Sequence, residues 1–198
     1  SAYRGRRATE TAPHSVFWLR FLDQPKSGVV LVENDVNPRA RNRVARSRHL
    51  VETTHLYPML QGRHIRPYGV DIPEHLVLLP HDASTGQHAI PEAVLSQRSP
   101  LTYQYLNQYR KLLEDRGSRT EYRTGEPFYA LWRVGPYTFA PYKVVWPEIG
   151  ELRAAVVSTS VTPWGETKMV VPEGKVNLIA CDTEDEAHFV CAFLNAPL

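Results

Sequence analysis

The sequence predicts an α+β protein built from mostly antiparallel, twisted sheets and a few helices. Short apolar runs of strand length are mixed along the chain with helical patterns, instead of alternating regularly with them. Sixteen prolines interrupt the chain and limit most elements to short lengths. No internal repeat and no linker long enough to separate domains is visible, so all 198 residues are assigned to one domain.

The first third of the chain is expected to contain short strands. Residues 1–15 have no apolar periodicity and are expected to be irregular. Two runs, 16–19 and 29–32, are rich in β-branched and aromatic residues, which favours strands. Residues 50–60 are interpreted as partly helical, ending before Gly62.

The middle of the chain is expected to hold loops and one long helix. Six prolines between 58 and 100 favour short elements, with one buried strand at 76–79. A helix is expected over 100–116, because Ser99 can cap it, a proline occupies its first position and Gly117 ends it. Its apolar stripe comprises Leu101, Tyr105, Tyr109, Leu112 and Leu113.

The last third alternates between strand patterns and a final helix. Thr183 and Glu186 have the spacing of a capping box, which predicts a helix over 184–195. Cys181 and Cys191 are expected to be buried, reduced cysteines of a cytoplasmic protein. No apolar run reaches 18 residues, so no membrane span is expected. The strand candidates are 128–132, 142–146, 154–158, 168–172 and 175–180.

Positive charge is concentrated in the first 70 residues. This stretch contains 12 Lys/Arg and 5 Asp/Glu, a net charge of +7, whereas residues 71–198 contain 11 and 16, a net charge of −5. All but one of the cations in the first stretch are arginines, whose planar guanidinium suits phosphates and guanine edges. The asymmetry predicts an anionic partner that docks on one face. The alternative is a solvated basic surface.

Two phrases, about 80 residues apart, are the most specific features of the sequence. Residues 55–68 read His-Leu-Tyr-Pro-Met-Leu-Gln-Gly-Arg-His-Ile-Arg-Pro-Tyr, and residues 139–149 read Phe-Ala-Pro-Tyr-Lys-Val-Val-Trp-Pro-Glu-Ile. With the helix at 100–116 between them, they resemble the C-terminal target-recognition domain of TaqI-type adenine DNA methyltransferases and fused restriction-modification enzymes. The resemblance covers nearly the whole chain. It departs from the family at His64, where an acidic residue is usual, and at Tyr142, which is inserted in the second phrase.

The resemblance implies a bacterial or archaeal DNA-binding specificity domain that is not an enzyme by itself. Double-stranded DNA is the expected partner, together with a catalytic methyltransferase domain of the same polypeptide. That domain would bind S-adenosylmethionine and methylate the adenine, so no cofactor, metal or catalytic residue is expected in this chain. The chain does not begin with Met, and the family continues beyond its last helix. We therefore expect a fragment of a larger methyltransferase.

The predicted DNA-binding residues are cations of the basic stretch and of the two phrases: Arg4, Arg6, Arg7, Arg39, Arg41, Arg43, Arg63, Arg66 and Lys143. Arg63 and Arg66 follow a glycine turn and can reach a groove. The alternative for Arg63 is a buried guanidinium that binds loop carbonyls. Lys143 lies inside an apolar strand, and it either points outward to a phosphate or extends to a carboxylate.

The sequence lacks the motifs of a methyltransferase active site. No G-x-G-x-x-G string is present, and the nearest match to Asn-Pro-Pro-Tyr, at 37–40, lacks the second proline and the aromatic residue. One alternative function is a magnesium nuclease of the PD-(D/E)xK type, with Glu148 and a Glu-x-Lys string at 166–168 or 173–175. A protein-interaction module that binds no DNA is the other. A metal-dependent nicking assay separates the first from a DNA reader, and a salt-sensitive shift assay separates the second.

Overall fold

The structure, a computed structural model, confirms the α+β class. Most strand pairs are antiparallel, as predicted. No helix in the described part of the chain is long and apolar enough to cross a membrane. The structure describes residues 3–36, 44–71, 74–116 and 125–196.

The chain divides into two compact units. The first unit consists of Ser1–Glu10, Tyr57–Glu74 and Arg133–Leu198. The second unit consists of Thr11–Leu56 and His75–Trp132. That all 198 residues serve one DNA-recognition domain of a larger methyltransferase stays a prediction, because this division concerns packing and not function.

Short strands dominate the secondary structure. The strands are β1 Arg6–Arg7, β2 Trp18–Lys26, β3 Val29–Asn34, β4 Arg48–Glu52, β5 Leu56–Leu60, β6 Ile65–Arg66, β7 Gly69–Val70, β8 His75–Leu78, β9 Tyr142–Pro147, β10 Ala155–Val157, β11 Thr159–Val161, β12 Thr167–Met169, β13 Val171–Pro172 and β14 Val176–Cys181. The α-helices are α1 His14–Phe17, α2 Glu92–Arg98, α3 Pro100–Gln108, α4 Arg110–Glu114 and α5 Glu184–Leu194. Single 3₁₀ turns are formed by Thr53–His55, Gly62–His64 and Pro136–Thr138.

The first unit is built on an antiparallel sheet with the strand order β1-β14-β9-β10. Helix α5 packs on one face of this sheet, where Val144, Ile179 and Val190 share a buried cluster. On the other face, Val145 and Leu178 share a second cluster with residues of β5 and β6. Because side chains alternate along a strand, both faces of β9 are buried, and the strand is apolar almost throughout. A parallel pair, β13 and β5, completes this unit.

Helix α5 begins at the predicted capping box. The Thr183 hydroxyl accepts a hydrogen bond from the Glu186 N–H at 3.3 Å. In return, the Glu186 carboxylate accepts one from the Asp182 N–H at 3.0 Å. The first bond satisfies an N–H of the first helical turn, whereas the second goes to Asp182, one residue before the cap, so the predicted capping box forms only in part. Cys181 and Cys191 are both free and buried, as predicted.

The second unit contains an antiparallel sheet with the strand order β8-β2-β3-β4 beside helices α2 to α4. The predicted long helix is interrupted at Tyr109, so it forms α3 and α4. Ser99 makes no capping hydrogen bond, and its hydroxyl instead lies 3.1 Å from the His55 ring. The carboxylate of Glu52, at the end of β4, caps α3 by accepting from the N–H groups of Leu101 and Thr102 at 2.9 and 2.7 Å. The predicted end at Gly117 lies outside the described residues.

Several predicted elements differ from the structure. Residues 16–17 belong to the helical turn α1, and the strand starts at Trp18. Residues 50–60 are two strands joined by a 3₁₀ turn, so the helical interpretation is wrong. Residues 128–132 form no strand, although 128–131 are buried and Trp132 is partly buried. Helix α2 was not predicted. The candidate at 168–172 is divided into β12 and β13, which pair with different strands. The remaining strand candidates are confirmed, with shifts of one or two residues at their ends.

Candidate nucleic-acid interface

The two sequence phrases meet inside the first unit. A Cβ atom on Gly62 would lie 3.2 Å from the Pro147 Cβ and 3.4 Å from the Lys175 carbonyl oxygen. The same Lys175 carbonyl accepts the N–H of Glu148 at 2.9 Å. Glycine at position 62 therefore lets the turn after β5 pack closely against the end of β9. This contact brings together segments that are about 80 residues apart in the sequence.

The turn at Gly62–His64 presents Arg63 to solvent. Its backbone is closed by a hydrogen bond from the His64 N–H to the Gln61 carbonyl at 2.9 Å. The exposed Arg63 donates from Nε to the His64 ring at 3.1 Å. The interpretation of Arg63 as a buried guanidinium that binds loop carbonyls is therefore wrong in this structure. Its charge has no carboxylate partner among the residues that the structure describes.

His64 occupies the position at which the TaqI-type domains that the sequence resembles usually have an acidic residue. Its Nδ1 lies 3.4 Å from the Gln61 N–H, and its Nε2 faces the Nε of Arg63. A neutral imidazole accepts at only one nitrogen, whereas a carboxylate accepts at both oxygens. A neutral His64 can therefore accept only one of these two hydrogen bonds, and it places no negative charge beside Arg63.

Two of the predicted arginines are held in ion pairs on the surface of the first unit. Arg7 contacts Glu148 at 2.7 Å, at the end of β9. Arg66 donates from Nε and Nη2 to one oxygen of Asp71, at 2.9 and 2.6 Å, and its side chain is 70% exposed. Such exposed pairs contribute only about 0–1 kcal/mol. Either guanidinium can therefore exchange its carboxylate for another anion at small cost.

The start of the chain is more ordered than expected. Arg6 and Arg7 form the edge strand β1, opposite Leu178 and Asn177 of β14. The Arg6 guanidinium lies 4.8 Å from the centre of the Tyr137 ring, a cation–π contact. Arg4 is exposed and forms no ion pair with any described residue. Pairing with β14 thus fixes the position of Arg6 and Arg7, and Arg4 lies two residues before that strand.

Lys143 does not reach the surface. Its side chain is fully buried on the face of β9 that also carries Val145, and its Nζ donates to the Ala140 carbonyl at 2.9 Å. Burial lowers the pKa of this lysine to about 8. The expectation that Lys143 points outward to a phosphate is not met in this conformation. Arg39, Arg41 and Arg43 lie outside the described residues.

The acidic residues considered for a nuclease are engaged in other contacts. Glu148 pairs with Arg7, and Glu166, directly before β12, lies 3.6 Å from the Nζ of Lys168 within that strand. Glu173 is buried, and desolvation raises the pKa of its carboxyl group. Within the described ranges, no group of three or more His, Cys, Asp or Glu side chains is placed to hold a metal ion.

Sequence reasoning missed two residues at this surface. The exposed Lys175 lies in the turn that contacts Gly62, and its position follows from the register of β14 with β9. Tyr68, the last residue of the first phrase, is 65% exposed at the tip of the β6–β7 hairpin. The Pro-Tyr pair within the phrase was the available signal, because proline followed by an exposed residue is typical of a tight turn.

Comparison with known proteins finds similarity over part of the chain. Over 94 residues, 48% of this chain, the sequence is 28% identical to the Type II methyltransferase M.NspV of Nostoc sp. (strain ATCC 29411 / PCC 7524). The matched segment spans 18% of the length of that protein. No protein-family model matches the chain. The similarity thus relates part of this chain to a small part of a Type II methyltransferase.

Proposed function

We propose that this chain is a target-recognition domain of an adenine-specific DNA methyltransferase or fused restriction-modification enzyme. In this role it binds double-stranded DNA through the arginines of the first unit. The observation that carries the proposal is the contact between the two phrases, at which Gly62 packs against Pro147. That contact sets the exposed Arg63 beside the end of β9, where Arg7 binds Glu148.

The partial similarity to M.NspV supports a connection with methyltransferases of this kind. In the proposal, a catalytic domain of the same polypeptide binds S-adenosylmethionine and methylates a flipped adenine. This chain contributes no catalytic group and positions the duplex for that domain. The matched segment spans 18% of the length of M.NspV, so most of that protein lies outside the similarity and has room for a catalytic domain.

The charges of the first unit suit contact with phosphates. Arg4 and Arg63 are exposed and have no ion-pair partner in the described part of the chain. Arg7 and Arg66 can release Glu148 and Asp71 at small cost, since exposed ion pairs are weak. Phosphate contacts position a protein on the duplex, and a few further side chains then read base edges. A cluster of exposed arginines is therefore the expected first requirement of a DNA reader.

Neutralising Arg4 and Arg63 together is expected to weaken binding to mixed-sequence duplex DNA by roughly 10- to 100-fold at 0.1 M salt. Each lost phosphate contact also removes about 0.9 from the slope of log K against log salt, so the slope becomes less steep by about 1.8. The measurement is a fluorescence-anisotropy titration of the chain carrying Arg4→Gln and Arg63→Gln, repeated at several salt concentrations.

The matched control is the double variant Arg98→Gln and Lys111→Gln. It removes the same two positive charges from exposed positions of the second unit. We expect its salt slope to equal that of the unmodified chain. Equal losses in both double variants would mean that net charge, and not this surface, determines binding. No loss in the Arg4 and Arg63 variant would refute the proposed interface.

A further inference from the structure

The β6–β7 hairpin ends in an unusual tip. Its strands are two residues each, with Ile65 opposite Val70 and Arg66 opposite Gly69. Pro67 and Tyr68 alone connect them, and Tyr68 has a φ of +61°. Proline followed by a residue of positive φ is the pattern of a type II turn, in which glycine or asparagine is preferred at the second position. Left-handed backbone is uncommon for a residue as bulky as tyrosine.

The backbone of this tip is fixed, although its side chain is not. The Tyr68 N–H donates to the Ala154 carbonyl at 2.8 Å. At the base of the hairpin, Ile65 is buried in the core and Arg66 binds Asp71 across the two strands. The turn therefore has one defined position relative to the sheet of the first unit.

The Tyr68 ring makes no contact that would offset its backbone conformation. It is 65% exposed, and among the described residues it has no hydrogen-bond or aromatic partner. Glycine would adopt the same φ without cost. Residues in unfavourable backbone conformations are found preferentially at functional sites. An exposed tyrosine at such a position is thus explained by a contact outside the chain.

We infer that Tyr68 enters a groove of the bound DNA and inserts its ring between adjacent base pairs, where it stacks on a base, an inference that rests on the proposed function. Its neighbours Arg63 and Arg66 are exposed cations. Aromatic rings beside guanidinium groups form the combination that binds nucleic-acid bases together with phosphates. Phe189 on α5 is equally exposed, but it follows three acidic residues in the first turn of its helix. The charge around Tyr68 therefore favours DNA over a protein partner.

The substitution Tyr68→Gly separates the effect of Tyr68 on folding stability from its effect on DNA affinity. It removes the ring and relieves the left-handed backbone, so the melting temperature is expected to stay the same or rise. Affinity for a mixed-sequence duplex is expected to fall by roughly 5- to 150-fold, because stacking on a base contributes about 1–3 kcal/mol. Tyr68→Phe keeps the ring and is expected to bind like the unmodified chain. Phe189→Ala removes an equally exposed ring from α5 and serves as the control.

The same duplex with 2-aminopurine in place of adenine reports on stacking directly. Binding of the unmodified chain is expected to change the fluorescence of the 2-aminopurine, whereas binding of the Tyr68→Gly variant is expected to leave it unchanged. If the unmodified chain binds no DNA, the proposed function and this inference both fail. If it binds and Tyr68→Gly binds equally well, only the inference fails. A lowered melting temperature of Tyr68→Gly, or a loss of affinity in Tyr68→Phe as large as in Tyr68→Gly, also contradicts a stacking role.

Discussion

Replacing Arg116 with alanine is expected to lower the free energy of unfolding of the second unit by about 3–5 kcal/mol. Arg116 is only 8% exposed. Its guanidinium donates to the carbonyls of Leu113 at 2.8 Å, Ala12 at 3.0 Å, Phe128 at 2.7 Å and Ala130 at 3.1 Å. Truncation leaves these buried acceptors without their donor and opens a cavity.

Thermal and urea unfolding of Arg116→Ala measure this loss. With about 2–4 °C per kcal/mol for a chain of this size, the melting temperature should fall by roughly 10 °C. Arg98→Ala removes an exposed arginine from the same unit and should change stability by less than about 0.5 kcal/mol. Equal effects of the two substitutions would show that the hydrogen bonds of Arg116 do not hold residues 128–130 in place.

Replacing Lys143 with methionine is expected to stabilise the first unit by up to about 3 kcal/mol at pH 7. Burial lowers the pKa of Lys143 from 10.5 to about 8, so the folded state disfavours the charged form. Below pH 8 the lysine is protonated in both states, and the full cost of burying the charge is present. Methionine of similar shape removes that cost and loses only the hydrogen bond to the Ala140 carbonyl.

The pH dependence of the stabilisation distinguishes the removal of a buried charge from a general improvement in packing. Between about pH 8 and 10.5, the unfolded lysine retains its proton while the folded one has lost it, so stability of the unmodified chain rises with pH. The advantage of Lys143→Met should therefore shrink across this range. Urea unfolding at pH 7, 9 and 10 measures the difference in stability between the Lys143→Met variant and the unmodified chain. The control is Lys175→Met, a substitution at an exposed position. A destabilised variant, or an advantage that does not change with pH, would contradict the assignment.

Elements with local signals were predicted well. Helix α5 begins where Thr183 and Glu186 lie three residues apart, and the cap that Thr183 provides to the Glu186 N–H is visible in the sequence. Strands β9 and β14 are largely apolar runs, each with one polar residue, Lys143 and Asn177 respectively. The residues that determine these elements are close to one another in the sequence, so hydrophobic periodicity is sufficient to predict them.

Elements that depend on distant side chains were not predicted. Residues 128–132 have the composition of a strand, but the Arg116 guanidinium and the His81 ring bind their backbone groups. Helix α3 was assigned a cap at Ser99, whereas the carboxylate that caps it comes from Glu52. In both cases the partner lies far from the element in the sequence, so no local pattern reveals it.

The candidate site was predicted only in part for a similar reason. The phrases identified Arg63, and the structure leaves it exposed. Lys143 was expected either to point outward to a phosphate or to extend to a carboxylate, and its Nζ instead donates to the Ala140 carbonyl. The structure covers one face of β9 with α5 and the other with a second apolar cluster. Burial of both faces of β9 depends on how the whole first unit packs, so it cannot be predicted from the sequence of the strand alone.

Binding of the unmodified chain to mixed-sequence duplex DNA, measured by anisotropy from low to moderate salt, tests the central claim most directly. If two to five of the described arginines contact phosphates, the slope of log K against log salt should lie at roughly −2 to −4.5. The account predicts measurable binding at low salt that weakens steeply within this range. No binding at low salt, or an affinity that does not change with salt, would contradict it.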